Sequence, residues 1–224
     1  MADEKPIRIT RLILVPTLIS LAITILRVVG ELKHWPKPWF NTAAGGGGAL
    51  VGISWLPIIF GPYFALKLAC AGEGAASVGK SIGFALGSLL VLVGGGFLFG
   101  TTVNHANILT LIGLLLMLGS VFVARAGWQR LGTALIAYAF AARIPVLIVM
   151  YYAMMGNGGA GLGTHYDAVP PALAAMPPLQ RFFYAGFIVQ LTLWIGFTVV
   201  VGSIFGTIAN AIFRRKKEAA PVAV

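Results

Sequence analysis

Acidic groups are scarce in this chain and cysteine is nearly absent. Six Asp and Glu stand against sixteen Lys and Arg, and only 10% of residues carry charge at all. A fold facing water on every side needs more charge than that, so a water-soluble globular domain is excluded. The single cysteine, Cys70, can form no intrachain disulfide, and neither CxxC redox chemistry nor a cysteine-rich metal site is available. Walker A, GxSxG, Rossmann and DDxxD-type sequences are all missing. ATP hydrolysis within the chain is therefore not expected, and no Asp, Glu or His lies deep inside an apolar run to carry protons.

What the chain has instead is apolar length. Hydrophobic residues make up 58% of it, with a mean hydropathy of +0.92. A membrane-spanning helix needs about 20 mostly apolar residues, because its backbone must satisfy its own hydrogen bonds across roughly 30 Å of hydrocarbon. Six stretches meet this, at about 10–30, 49–70, 81–101, 108–126, 131–154 and 182–213. The expected fold is all-α: one polytopic transmembrane bundle covering 1–224, with an outer loop at about 155–181. The apolar run from Leu12 to Val29 is too long for a signal-peptide core and lacks a small-residue cleavage site, so it is expected to be retained.

A net charge of +10 raises nucleic-acid binding, but the positions of the charges argue against it. Lys5, Arg8 and Arg11 precede the first run, Lys80, Arg125 and Arg130 sit in connections on the same side, and Arg214, Arg215, Lys216 and Lys217 follow the last run. The segment from Gly156 to Gln180 has no Lys or Arg, whereas Lys33 and Lys37 in the first outer loop break the pattern. This is the positive-inside distribution. It places both termini in the cytoplasm, sets the chain in a bacterial cytoplasmic (inner) membrane, and makes anionic lipid head groups the partner of the basic clusters. Trp35, Trp39, Tyr151, Tyr152 and Phe182 fall where an interfacial aromatic belt would put them.

Glycine marks close contacts. Gly83 and Gly87, Gly96 and Gly100, and Gly202 and Gly206 are GxxxG pairs, whose flat faces admit another helix, either within this chain or from a homo-oligomer or complex partner. Gly45 to Gly48 reads as a hinge or a tight backbone approach.

Three groups of residues are candidates for function. Pro57, Gly61 and Pro62 interrupt span two, and Arg143 and Pro145 do the same in span five. Proline removes a hydrogen bond from a helix, so these residues could surround a central site. If the chain were two inverted halves of three spans, spans two and five would correspond, as in many secondary transporters. The plain alternative is that proline and glycine are common in membrane helices. Arg27 and Glu31 are one helical turn apart at the outer end of span one and could pair. His34, His105, His165 and Asp167 all fall in outer connections, where imidazole and carboxylate could gather around a metal, but none shows HxxxH or HExxH spacing and polar residues belong in loops anyway.

No cofactor is implied. Three functions fit these features: a small permease-like or channel-like protein with broken spans two and five around a central site, a non-catalytic structural or assembly subunit of a membrane complex, and a membrane enzyme acting at the extracytoplasmic face on lipid or envelope precursors.

Overall fold

The computed structural model describes residues 6–46, 48–103 and 107–219. His105 lies outside the described residues, as do Asn104, Gly47 and the side chains of Arg215, Lys216 and Lys217. Every regular element described is helical. They are α1 (Ile9–Leu32), α2 (Pro57–Cys70), α3 (Val78–Thr102), α4 (Ile108–Gly127), α5 (Gln129–Met155) and a single turn, α6 (Pro171–Ala174). The last helix, α7, begins at Pro178–Arg181, passes through π-helical turns at Phe182–Ile188 and Gln190–Trp194, and continues as Ile195–Ala219. Five of these helices are long and apolar enough to cross a membrane: α1, α3, α4, α5 and α7.

The distribution of side chains is inverted relative to a water-soluble fold. Leu90, Phe97, Phe122 and Tyr152 are each about two-thirds or more exposed, whereas Arg27, Glu31, Arg143, Gln190 and Asn210 are buried. Such a surface suits hydrocarbon, and such an interior needs its polar groups answered from within.

The stretch at 49–70 does not form one continuous helix. Residues 49–56 are turns and bends, and α2 has 14 residues, about 21 Å at 1.5 Å per residue. The cause lies in the prolines. Pro57 sits at the first helical position, where its missing N–H costs nothing and its fixed φ favours a start. It therefore opens α2 rather than breaking it, and only Pro62 removes a bond from the helix interior. Nor do spans two and five match as equal counterparts, since α5 runs for 27 residues straight through Pro145.

One end of the bundle, here the termini end, is latched by Glu73 in the connection between α2 and α3. Its carboxylate accepts from the Ile7 backbone N–H at 2.7 Å and from the Arg130 guanidinium, which also donates to the Ile7 carbonyl at 2.7 Å. Trp128 Nε1 donates to the Glu73 carbonyl at 3.0 Å. Burial pushes the Glu73 carboxyl up, but the Arg130 and Ile7 hydrogen bonds hold it below the usual carboxylate range.

The core lies between α1, α2, α5 and α7. Tyr138 is its centre: its ring meets Phe60 and Phe64 edge-on at 5.4 and 5.6 Å, and its hydroxyl bonds Ser20 Oγ at 2.8 Å. Against it, α2 and α7 touch backbone to backbone. A Cβ on Gly61 would land on the Gly202 carbonyl, and one on Gly206 would lie 2.8 Å from the Gly61 carbonyl. The GxxxG pair of α7 is thus filled by α2. On α3 the close contact is made elsewhere, by Gly95 against Gly113 of α4, while Gly83, Gly87, Gly96 and Gly100 face open space.

This contrast is testable. Gly61→Val should lower the unfolding temperature of the detergent-solubilised protein, consistent with an overpacking cost of about 1–3 kcal/mol. Gly87→Ala, made into open space, should leave it unchanged or raise it slightly.

Candidate functional site

At the opposite, far end, the segments between the helices close over a cavity of about 870 Å³. It is bounded by α1, α5 and α7, by the outer ends of α3 and α4, by residues of the 44–54 segment, and by the 165–176 loop. The volume lies toward the top of the roughly 300–1,000 Å³ range of pockets that enclose small organic ligands. Irregular backbone at membrane depth is tolerated where it lines a cavity, and Gly52, Ile53 and Ser54, just ahead of α2, do so here.

Two arginines line the cavity, in opposite electrostatic situations. Arg27 is neutralised: its Nε bonds Glu31 Oε1 at 2.8 Å, one turn along α1, and its Nη2 donates to the carbonyls of Gly46 at 3.0 Å and Asn41 at 3.3 Å. Glycine suits position 46 on two counts, a left-handed backbone (φ 81°) and a site where a Cβ would fall 2.7 Å from the guanidinium. Glu31 is almost wholly buried, at 1% exposure, and it also holds the loop that carries His165. The His165 backbone N–H donates to Glu31 Oε2 at 2.8 Å, and His165 Nδ1 lies 2.7 Å from the same carboxylate. A carboxylate has no proton to give, so Nδ1 carries the hydrogen. Burial holds the His165 imidazole below its ordinary pKa, outweighing the pull of Glu31, and the Arg27 charge acts in the same direction. The triad is therefore electrically neutral, with one guanidinium, one carboxylate and an uncharged imidazole.

Arg143 has no such counterion. It is 4% exposed, its Nη1 reaches Gln190 Oε1 at a long 3.3 Å, its guanidinium carbon lies 4.6 Å from the Trp194 ring centroid, and its Nε has no partner. No ion pair to Arg143 exists among the described residues. A desolvated cation–π contact contributes about 2 kcal/mol, and a hydrogen bond at 3.3 Å gives little. Removing a charge from water costs at least several kcal/mol. The balance leaves Arg143 under-compensated. Gln190 and Trp194 both come from the π-helical part of α7, a local widening that often accompanies functional sites. Gln190 is held in turn by Met150 Sδ at 3.5 Å.

The predicted residues are distributed unevenly around this site. Arg27, Arg143 and His165 line the cavity, and Glu31 lies behind two of them. Pro57, Gly61, Pro62 and Pro145 do not line it; Gly61 is used for helix contact. His34 is exposed, and Asp167 turns back on its own loop, accepting from Gly163 N–H, Thr164 N–H and Thr164 Oγ1 at 3.0, 2.8 and 2.6 Å. Among the described residues no three His, Cys, Asp or Glu come together in a way that could hold a metal. Sequence reasoning missed Gln190 and Trp194, and it missed the bond between His165 and Glu31. The available signal was Gln190, an amide in the middle of an apolar run, four residues before a tryptophan.

No protein-family model matches the sequence, and no curated protein or solved structure matches it either.

Glu31→Gln should strand the buried Arg27 charge and lower stability by about 3–5 kcal/mol. Thermal unfolding of Glu31→Gln, Arg27→Gln and the double variant should show the double costing less than the sum of the singles. Acid should loosen the loop. Docked His165 is held neutral, so the released loop binds more protons, and docking weakens as pH falls through the ordinary His range near 6.5. Hydrogen-exchange protection of residues 164–168, corrected for intrinsic rates, should be lower at pH 5.5 than at pH 7.5.

Proposed function

We propose that this chain is a small permease-like protein of a bacterial cytoplasmic membrane, and that the far-end cavity is where its cargo binds. The observation carrying this reading is the cavity itself. It is large, mostly apolar, built from the outer portions of five helices, and contains an arginine without a counterion.

In this reading the chain crosses the bilayer six times. The five long helices each cross once, and the sixth crossing is α2 with the irregular 49–56 segment completing its outer half. The latch of Ile7, Glu73 and Arg130 supports this, because it gathers the start of α1, the end of α2 and the start of α5 at one level. Asn210 of α7 lies near Gly74 at the same level. The positive-inside distribution makes that the cytoplasmic side, so the cavity faces outward. A second role as a docking subunit is favoured by one observation, the open glycine face of α3.

The two parts are tested separately, the topology in cells and the transport in vesicles. In a Cys70→Ser background, Leu162→Cys should react with a membrane-impermeant maleimide in intact cells, whereas Val224→Cys should react only after permeabilisation. Labelling of both from the same side would overturn the topology. Proteoliposomes should take up small amphiphiles faster than empty vesicles, and uptake should fall at least about tenfold when the cavity is filled by Val146→Trp. Equal rates with and without protein would remove the permease reading.

A further inference from the structure

We propose that the cargo is an amphiphile with a single negative charge, a carboxylate or phosphodiester head group, bound by Arg143 with its apolar tail lying in the rest of the cavity. This rests on the cavity being a cargo site.

The charge count sets the ligand's charge. Of the ionisable groups at the cavity, Arg27 is cancelled by Glu31, and His165 shares that same carboxylate as a neutral donor. The nearby Asp167 is consumed by three hydrogen bonds within its own loop. What remains is one guanidinium, 4% exposed, with its Nε unpartnered. One anion would complete the site. A dianion would leave a surplus negative charge among apolar side chains, which the enclosure disfavours. A guanidinium presents a planar fork of donors that suits two oxygens on one centre, as in a carboxylate or a phosphodiester. The Trp194 ring lies under the guanidinium carbon at 4.6 Å, and Gln190 takes only Nη1 of the fork.

The remainder of the lining sets the ligand's other half. Ile23, Leu114, Val146, Leu173 and Ile188 offer no hydrogen bonds beyond their backbones. A bare inorganic anion would leave most of an 870 Å³ space unfilled, so the ligand carries a hydrocarbon portion. The geometry thus points away from a halide or free phosphate conduit.

The experiment uses the full-length protein in nanodiscs of phosphatidylcholine, whose head group is zwitterionic, with protein-free nanodiscs subtracted. Saturable binding is measured for radiolabelled dodecanoate, for a lauroyl lysophosphatidylglycerol and for dodecanol, the uncharged control. One or both anions should bind at least about 30-fold more tightly than dodecanol, and Arg143→Gln should erase that preference while leaving dodecanol within about threefold. Arg143→Lys, which keeps the charge but not the fork, should retain part of the preference. Comparison of the two anions identifies the head group. If all three ligands bind equally, the cavity takes amphiphiles but the anion assignment is overturned. If none binds, the cargo-site reading itself fails. Should Arg143→Gln fail to fold, Leu114→Trp serves instead: it fills the tail region from α4 without touching Arg143, Gln190 or Trp194, and loss of both anion and alcohol binding supports the placement. Binding unaffected by Leu114→Trp overturns it.

Discussion

A single buried carboxylate organises the far end of this protein. Glu31 terminates α1 with its side chain almost fully enclosed, and two cations or potential cations converge on it from different parts of the chain. Through Arg27 it fixes the 41–46 segment, and through His165 it fixes the outer loop more than 130 residues later. Regular structure in both segments is confined to single turns, at Ala44–Gly46 in one and at Asn157–Gly159 and Pro171–Ala174 in the other. In hydrocarbon or at its edge, a half-satisfied ion pair is costly, so the three groups hold one another in place. The cavity's walls are helices, but its roof exists because of this carboxylate.

The two ends of the bundle solve the same problem differently. At the termini end Glu73 is answered by Arg130 and by a backbone N–H, and everything it touches is structural. Between the ends, α2 is half a helix whose glycine meets the glycine pair of α7. Its shortness is what leaves 49–56 free to line the cavity. The last helix, α7, therefore carries both a tight seam, against α2, and one wall of the open chamber.

Much of the architecture was legible because it follows from a strong constraint. Apolar length and the need for internal backbone hydrogen bonds leave helices as the only reading of these runs, and α1, α3, α4, α5 and α7 lie close to the expected bounds. The exception, α2, failed for a local reason: Pro57 was read as an interruption when its position suits a helix start. The site was less legible. Arg27 and Glu31 were visible as neighbours because helical spacing is fixed, whereas the His165 contact spans the chain and no periodicity encodes it. The prolines drew attention as breaks, yet the cavity is polar because of Arg143, Gln190 and Trp194, two of which come from widened turns of α7 that sequence patterns do not reveal. Similarly, the α3 glycine pairs fit the contact motif, but α3 meets α4 through Gly95 and Gly113. A motif shows where a backbone can approach, and the partner decides whether it does.

The Glu73 latch has a bearing on biogenesis. Its components are separated widely in the chain: Ile7 comes first, Glu73 follows the second helix, and Arg130 opens the fifth. Both α1 and α2 are translated long before the guanidinium that secures them. Until then Glu73 has only the Ile7 backbone N–H as a partner in the latch. The translation of α5 thus supplies Arg130 for this latch and Tyr138 for the centre in the same stroke.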